Sequence, residues 1–236
     1  MGRLASRFKR VTGDIERLTA LYRRPAGSVR LIAVSKQQGA DRVAALAGLG
    51  QRDFAENYVQ EGLGKIQQSA QQLPGAALCW HFIGHIQSRK CGLVAEHFDW
   101  VHSVDSAKVA QRLSRSRAGG KPLNVLIQLN LQGEESKHGV SEAELPALAE
   151  ATAALPHLRL RGLMIVPKLE QSPARQRDVF RRCRQLCEAL NARGLKLDHL
   201  SMGMSGDMEA AIAEGATMVR IGTAVFGPRP AAALRH

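Results

Sequence analysis

The stretch LIAVSKQQGA, residues 31–40, decides how this chain is read. Leu31 to Val34 form an apolar run without polar alternation, which describes a strand covered on both faces, as in a parallel sheet. Lys36 ends that run. Burying an unpaired ammonium costs several kcal/mol, so a lysine in this place asks for a function.

Outward from that stretch, strand-like runs rich in Val, Ile, Leu and aromatics are expected at 29–35, 52–56, 78–83, 99–104, 123–130, 158–165, 198–202 and 217–221. Amphipathic helical runs are expected between them at 40–48, 57–70, 87–97, 106–117, 141–154, 173–193 and 205–214, with a further helix at 4–23. Such alternation joins parallel strands by crossover helices. Eight units in 236 residues fit a single-domain (β/α)₈ TIM barrel spanning 1–236. A doubly wound open sheet is the competing architecture. No Pro/Gly/Ser-rich linker divides the chain.

A barrel places its site at the C-terminal strand ends. Those ends carry Lys36, Glu56 with Asn57, His85, Ser103, Asn130 and Met164, then SMGMSGD (201–207) and VRIGTAVFG (219–227). Strand starts show no comparable gathering of polar residues. Asn57, Ser103 and Asn130 are compatible with ordinary loop starts, whereas Lys36 and Arg220 each bring a full charge to an apolar run. The glycines and hydroxyls of 201–206 and 222–223 follow the last two strands, where such barrels cradle phosphate with backbone N–H groups. Taken alone, Ser205 reads as the N-cap of the helix after it.

A lysine in a dry site beside a second cation is shifted toward its neutral amine, which condenses with aldehydes. A lysine and a phosphate cradle in one mouth suggest an aldehyde that carries a phosphate. Two classes fit: a sugar-phosphate aldolase, and pyridoxal 5′-phosphate held by the lysine. A lysine whose stem reaches out to solvent is the structural alternative.

Other signals are weaker. GLGQRD (48–53) has Asp53 where a dinucleotide fingerprint needs glycine, and GLGKI (62–66) lacks most of a P-loop. His81 and His85 lack the glutamate of H-E-x-x-H, and Cys79 and His81 read as packed or hydrogen-bonded strand residues, so no metal is expected. Cys183 and Cys187 share a helix face, and the four cysteines form no C-x-x-C and no disulfide framework. Free thiols suit a reducing compartment.

The balance of 33 basic against 21 acidic residues gives a formal charge of +12. The basic residues of 1–30 and 175–196 alternate with apolar positions, as on solvated helix faces, and few aromatics accompany them, so no nucleic-acid partner is expected. No apolar run approaches a membrane span or a signal-peptide core, and a cytoplasmic location follows. MGRLAS fits a myristoylation pattern that is short enough to arise by coincidence.

The stretches LIAVSK (31–36), AENYVQE (55–61), WHFIGHIQSRK (80–90), NLQGEESKHG (130–139), GLM (162–164), LSMGMSGD (200–207) and VRIGTAVFG (219–227) together resemble the YggS/PROSC family of pyridoxal phosphate homeostasis proteins. The resemblance implies a barrel like the N-terminal domain of alanine racemases without their second domain. It implies that Lys36 forms an aldimine with pyridoxal 5′-phosphate, that Ser201, Gly222 and Thr223 hold the phosphate, that Arg220 faces the pyridine nitrogen, and that Asn57 and Met204 lie near the ring. Two departures stand out: Ala55 where the family has glycine, expected to alter the backbone beside Asn57, and Arg89 where asparagine is common.

An arginine keeps its proton, so a pyridine nitrogen facing Arg220 stays unprotonated and the ring is a poor electron sink. Racemases with such an arginine use a tyrosine base from a second domain. This chain has only Tyr22 and Tyr58 and ends soon after the last strand. The expected function is therefore buffering and carriage of pyridoxal phosphate without efficient catalysis; the alternative is a pyridoxal-phosphate-dependent amino-acid racemase. Acceptor apoenzymes are the expected partners and a monomer the expected state. Lys65, Lys90 and Lys137 are candidates for a second cofactor site, with a solvated charge as the simpler role of each.

Overall fold

Eight parallel strands pair in chain order and close on themselves. They are β1 (Arg30–Val34), β2 (Asp53–Glu56), β3 (Cys79–Phe82), β4 (Trp100–Val104), β5 (Leu123–Leu129), β6 (Leu158–Ile165), β7 (His199–Ser201) and β8 (Met218–Ile221). This is a computed structural model, and it describes residues 2–133, 138–168 and 172–228. No strand boundary lies more than one residue from its sequence-based position. The open sheet is excluded by the pairing of β8 with β1, in which Ile32 sits opposite Arg220.

The helices are α1 (Gly2–Leu21), α2 (Ala40–Gly48), α3 (Val59–Gln72), α4 (Cys91–His97), α5 (Ala107–Ser116), α6 (Leu145–Ala153), α7 (Pro173–Ala192), α8 (Met208–Ala213) and α9 (Thr223–Phe226). Several begin later than the apolar periodicity suggests, because turn chemistry consumes the first residues. Before α6, Ser141 N and Oγ both donate to Glu144 Oε2, at 2.9 and 2.6 Å. Before α8 it is Asp207 that takes the capping position, and its carboxylate accepts from Met204 N. Ser205 is therefore not the N-cap expected of it. The short α9 was not legible in the apolar pattern.

Strand alternation divides the core in two. Phe54, Phe82, Val101, Ile127 and Leu163 face the helices, while Ile32, Val34, Ala55, Trp100, Leu126, Met164 and Met218 form a separate cluster inside the barrel. Ala55 fits that interior without disturbing the sheet: Ser35 N donates to Ala55 O at 3.0 Å, and Ala55 keeps its register with His81.

The helix α1 buries Leu4, Val11, Ile15 and Leu18 against the neighbouring α9, α8 and α2, standing where a crossover helix after β8 would stand. Arg24 ties the end of α1 to the carbonyls of Ile212 and Ala216. The arginines of α7 are engaged rather than idle. Arg177, Arg181 and Arg184 converge on the buried carboxylate of Glu214 at 2.8, 3.2 and 3.5 Å, Arg182 pairs with Glu142, and Arg193 with Glu150. The four cysteines are free, and burial pushes the thiols of Cys79, Cys183 and Cys187 up, out of the reactive range. No described helix is long and apolar enough to cross a membrane.

Removing a buried carboxylate leaves its cationic partners uncompensated. Because the three arginines keep partial access to water, Glu214→Ala should lower unfolding stability by about 2 kcal/mol in urea titrations, and Glu214→Gln by roughly half as much.

Candidate functional site at the C-terminal mouth of the barrel

The period of two that sends Ile32 and Val34 into the barrel carries on to Lys36, as Ala55 leads to Asn57 and Met218 to Arg220 and Gly222. Lys36 stands half-buried just beyond β1, and the chain on both sides of it is fixed from behind. Ser35 Oγ donates to Glu56 Oε1 at 2.5 Å, and Ser35 O accepts from Lys65 Nζ at 2.5 Å. Gln37, in the left-handed region at φ 59°, donates its backbone N–H to Glu61 Oε1. Lys65 Nζ joins the two carboxylates, 2.7 Å from Glu56 and 2.6 Å from Glu61. Burial raises the Glu56 carboxyl, opposed by Lys65 and Ser35. Lys65 is thus 5% exposed with three acceptors. It is not a solvated charge and not part of a second cofactor site, because its ammonium is spent on the backbone and carboxylates around Lys36.

Arg220 lies inside the barrel, 4% exposed. Its NH2 donates to Ile165 O and its NH1 to Ser201 Oγ, both at 2.8 Å. Beyond Ser201 a chain of side chains continues downward. Ser201 Oγ is 2.8 Å from His102 Nδ1, His102 Nε2 is 2.9 Å from His81 Nδ1, and His81 Nε2 is 3.0 Å from Asp53 Oδ1. Burial moves the Arg220 guanidinium down to about 10, which leaves it protonated at neutral pH. Burial likewise lowers both imidazoles, His102 more strongly, so both are neutral there.

Around this cation the mouth is built for close approach. Gly203 at φ 97° packs its Cα toward Ala211, where a Cβ would come within 2.6 Å of the Ala211 methyl. A Cβ on Gly84 would lie 2.0 Å from Asn57 O, so only glycine lets the β3 loop pass the end of β2. Asn57 Oδ1 is buried with no hydrogen-bond partner among the described residues. Gly222 opens α9, Thr223 is exposed at its start, and Met204 is exposed on the β7 loop. Ser201 departs from this rim: it is fully buried, and its hydroxyl is spent on Arg220 and His102. Lys90 is half-buried and lines a cleft of about 420 Å³ with Asn57, Tyr58 and His85. Lys137 lies outside the described residues.

Two other strand-end positions have structural partners. Ser103 Oγ donates to Gly84 O at 2.5 Å, and His85 stacks on His138 with ring centroids 3.6 Å apart, its Nδ1 3.4 Å from Asp105. Ligand-type atoms gather within 4.8 Å of one another at His85, Asp105 and His138, and again at Asp53, Cys79 and His81. The second group is joined by hydrogen bonds, with Cys79 Sγ 3.4 Å from His81 Nε2, which agrees with the reading of Cys79 and His81 as hydrogen-bonded strand residues.

Strand starts are not bare, contrary to expectation. Arg30 pairs with Asp53 at 3.3 Å, Arg161 holds Asp198 by two bonds at 2.8 and 2.6 Å, and the Arg161 guanidinium lies 5.2 Å from the Trp100 ring centroid. Each pair joins neighbouring strands, from residues 23 and 37 positions apart in the chain, so neither is visible in a local stretch of sequence. The roles of His102 and Asp53 beneath Arg220 were not read from the sequence, and Glu56 and Lys65, noted there as a strand-end residue and a candidate for a second cofactor site, act instead as the clamp behind Lys36. A signal existed in the alternation: His81 and His102 interrupt the inward face of otherwise apolar strands.

A closed parallel barrel with an amine beyond β1, a buried cation on β8 and glycine loops after β7 and β8 defines the class of the alanine racemase N-terminal domain, and the family model described as "Alanine racemase, N-terminal domain" matches residues 12–230. A pyridoxal phosphate homeostasis protein of Pseudomonas aeruginosa is 52% identical over 230 residues, covering 97% of each chain. The structure of PipY from Synechococcus elongatus with PLP bound superposes with a TM-score of 0.79 at 39% identity, covering 90% of this chain and 99% of that one. Alanine racemase of Corynebacterium glutamicum shares the fold at 20% identity and a TM-score of 0.68, with 63% of its own length covered. The chain belongs to the family of pyridoxal phosphate homeostasis proteins.

Because His81, His102 and His199 are held below their ordinary value by burial, the unfolded chain binds more protons than the folded one as pH drops below about 6.5. Stability is complete above that value and should fall by up to about 1.4 kcal/mol per pH unit for each histidine below it. Urea midpoints between pH 7.5 and 5 check this slope.

Proposed function

We propose that the mouth holds pyridoxal 5′-phosphate with Lys36 as its amine, and that the chain takes up, buffers and releases this cofactor instead of turning over substrate. The observation that carries the proposal is the juxtaposition of a lysine on a clamped backbone and a buried cation on adjacent strands: Ile32 is opposite Arg220, and Lys36 stands four residues above Ile32 on the same face. The named function of the P. aeruginosa relative and the cofactor in PipY support it.

The donor set suits the group. Gly222 and Thr223, with the loop of Gly203 to Gly206, offer backbone N–H groups and a hydroxyl to a phosphate. The orphan Asn57 Oδ1 and the exposed Met204 suit the flanks of a ring. Ser201 contributes through Arg220, whose NH1 it holds. When bound, pyridoxal phosphate supplies an aldehyde that condenses with a lysine amine with loss of water, and a ring that stores electrons when its nitrogen is protonated. Arg220 would donate toward that nitrogen and keep its own proton, which would deny the ring the state that supports carbanion chemistry. The clamp of Ser35 and Gln37 by Glu56, Glu61 and Lys65 fixes where the Lys36 stem starts.

Release to acceptor apoenzymes suits a mouth at which Lys36 is only half-buried, and we extend the proposal to a monomeric carrier. One feature favours the second reading, a racemase: Tyr58 is 58% exposed beside Asn57, at the mouth, whereas Tyr22 sits in the turn just after α1, hydrogen-bonded to Glu209.

Borohydride treatment of the protein loaded with pyridoxal phosphate should leave the peptide containing Lys36 heavier by the cofactor less one water plus two hydrogens; addition to other lysines alone would overturn the proposal. Lys36→Ala should lose the covalent link yet keep phosphate-held cofactor about 100-fold more weakly, roughly 2.7 kcal/mol, by equilibrium dialysis. Racemisation of alanine or serine that disappears in Tyr58→Phe would favour the enzyme instead.

A further inference from the structure

We infer that Asp53, His81, His102 and Ser201 form one hydrogen-bond chain of fixed polarity that runs from the base of the barrel to Arg220 and holds that guanidinium as a donor beneath the mouth. Its two ends determine its direction. Arg220 can only donate, and it gives NH1 to Ser201 Oγ at 2.8 Å. Asp53 as a carboxylate can only accept, and Arg30 at 3.3 Å together with His81 keeps its pKa low.

Each group between must then accept on one side and donate on the other. Ser201 O–H donates to His102 Nδ1 at 2.8 Å, His102 Nε2–H to His81 Nδ1 at 2.9 Å, and His81 Nε2–H to Asp53 Oδ1 at 3.0 Å. Both histidines are neutral and both carry the proton on Nε2. The opposite polarity needs a proton on Asp53, directly against the Arg30 guanidinium. It would also leave Ser201 O–H free for a phosphate; in the inferred direction that proton is already used. Ser201, His102 and His81 are therefore positioning residues for Arg220.

The surroundings hold the chain neutral. Burial disfavours a charge on both rings: at His102 the neighbouring His81, Arg220 and His199 add to it, whereas at His81, beside Cys79 and 5.7 Å from the Trp100 ring centroid, burial with Arg30 outweighs Asp53 and Asp99, which favour the imidazolium. The polarity is a property of the protein without ligand. Its consequence for the cofactor rests on the binding proposal above.

The test starts on cofactor-free protein, with side-chain ¹⁵N NMR of the histidines at pH 7.5. Protonated Nε2 and unprotonated Nδ1 at both His81 and His102 is the expected result. A proton on Nδ1 of either ring, or an imidazolium there, would overturn the polarity, as would an unprotonated His81 Nε2 that takes up zinc with Asp53 and Cys79. Loaded protein then tests positioning. His102→Leu should speed release of pyridoxal phosphate about tenfold, and His102→Gln, which can accept from Ser201 and donate to His81, should restore it to within about twofold. Equal release from wild type and His102→Leu would remove the positioning role. If pyridoxal phosphate does not bind at all, the binding proposal falls while the NMR result stands.

Discussion

A full positive charge sealed inside a barrel must be given acceptors, and the interior of this protein is arranged around that constraint. Arg220 is 4% exposed, and an uncompensated buried cation would cost several kcal/mol. Two of its nitrogens are satisfied from below and from the side, by Ser201 and by the carbonyl of Ile165, which fixes the plane of the guanidinium. Satisfying Ser201 requires His102, satisfying His102 requires His81, and His81 ends on Asp53 at the opposite mouth. The lumen is thus half apolar packing and half a continuous polar thread.

The second constraint concerns the amine. A lysine that condenses reversibly with an aldehyde must present its nitrogen repeatedly in one place. Here the flexible stem is left half-exposed while the backbone beneath it is tied at Ser35 and at Gln37 to one cluster of Glu56, Glu61 and Lys65. Rigidity lies in the backbone that carries the lysine, which is fixed on both sides of it. The base of the barrel is closed differently, by Arg30 with Asp53 and by Arg161 with Asp198 across the Trp100 ring. The proposed binding site thus lies at one end and the charged closure at the other.

Much of this was legible in residues 31–36 and their seven counterparts. Apolar runs of strand length separated by amphipathic stretches mark a parallel barrel, because each strand is covered on both faces and each crossover covers only one. Lys36 and Arg220 were visible because a charge interrupts such a run. The polar thread was not, since Asp53, His81, His102 and Ser201 come from four strands and meet only through barrel closure. Lys65 was read as solvated because it sits on a helix of polar composition; what buries it is the fold of α3 back onto the end of β2 and onto Ser35 at the end of β1. Ser205 gave way to Asp207 as a cap because a single turn separates them, a distinction local propensity does not make.

The most direct test of the central claim is a crystal structure of the protein with pyridoxal 5′-phosphate. The account predicts continuous density from Lys36 Nζ to the cofactor, the ring nitrogen within hydrogen-bond distance of Arg220, and the phosphate against Gly222, Thr223 and the Gly203 to Gly206 loop. Cofactor lodged in the cleft beside Lys90, with Lys36 unmodified and Arg220 turned away, would contradict it.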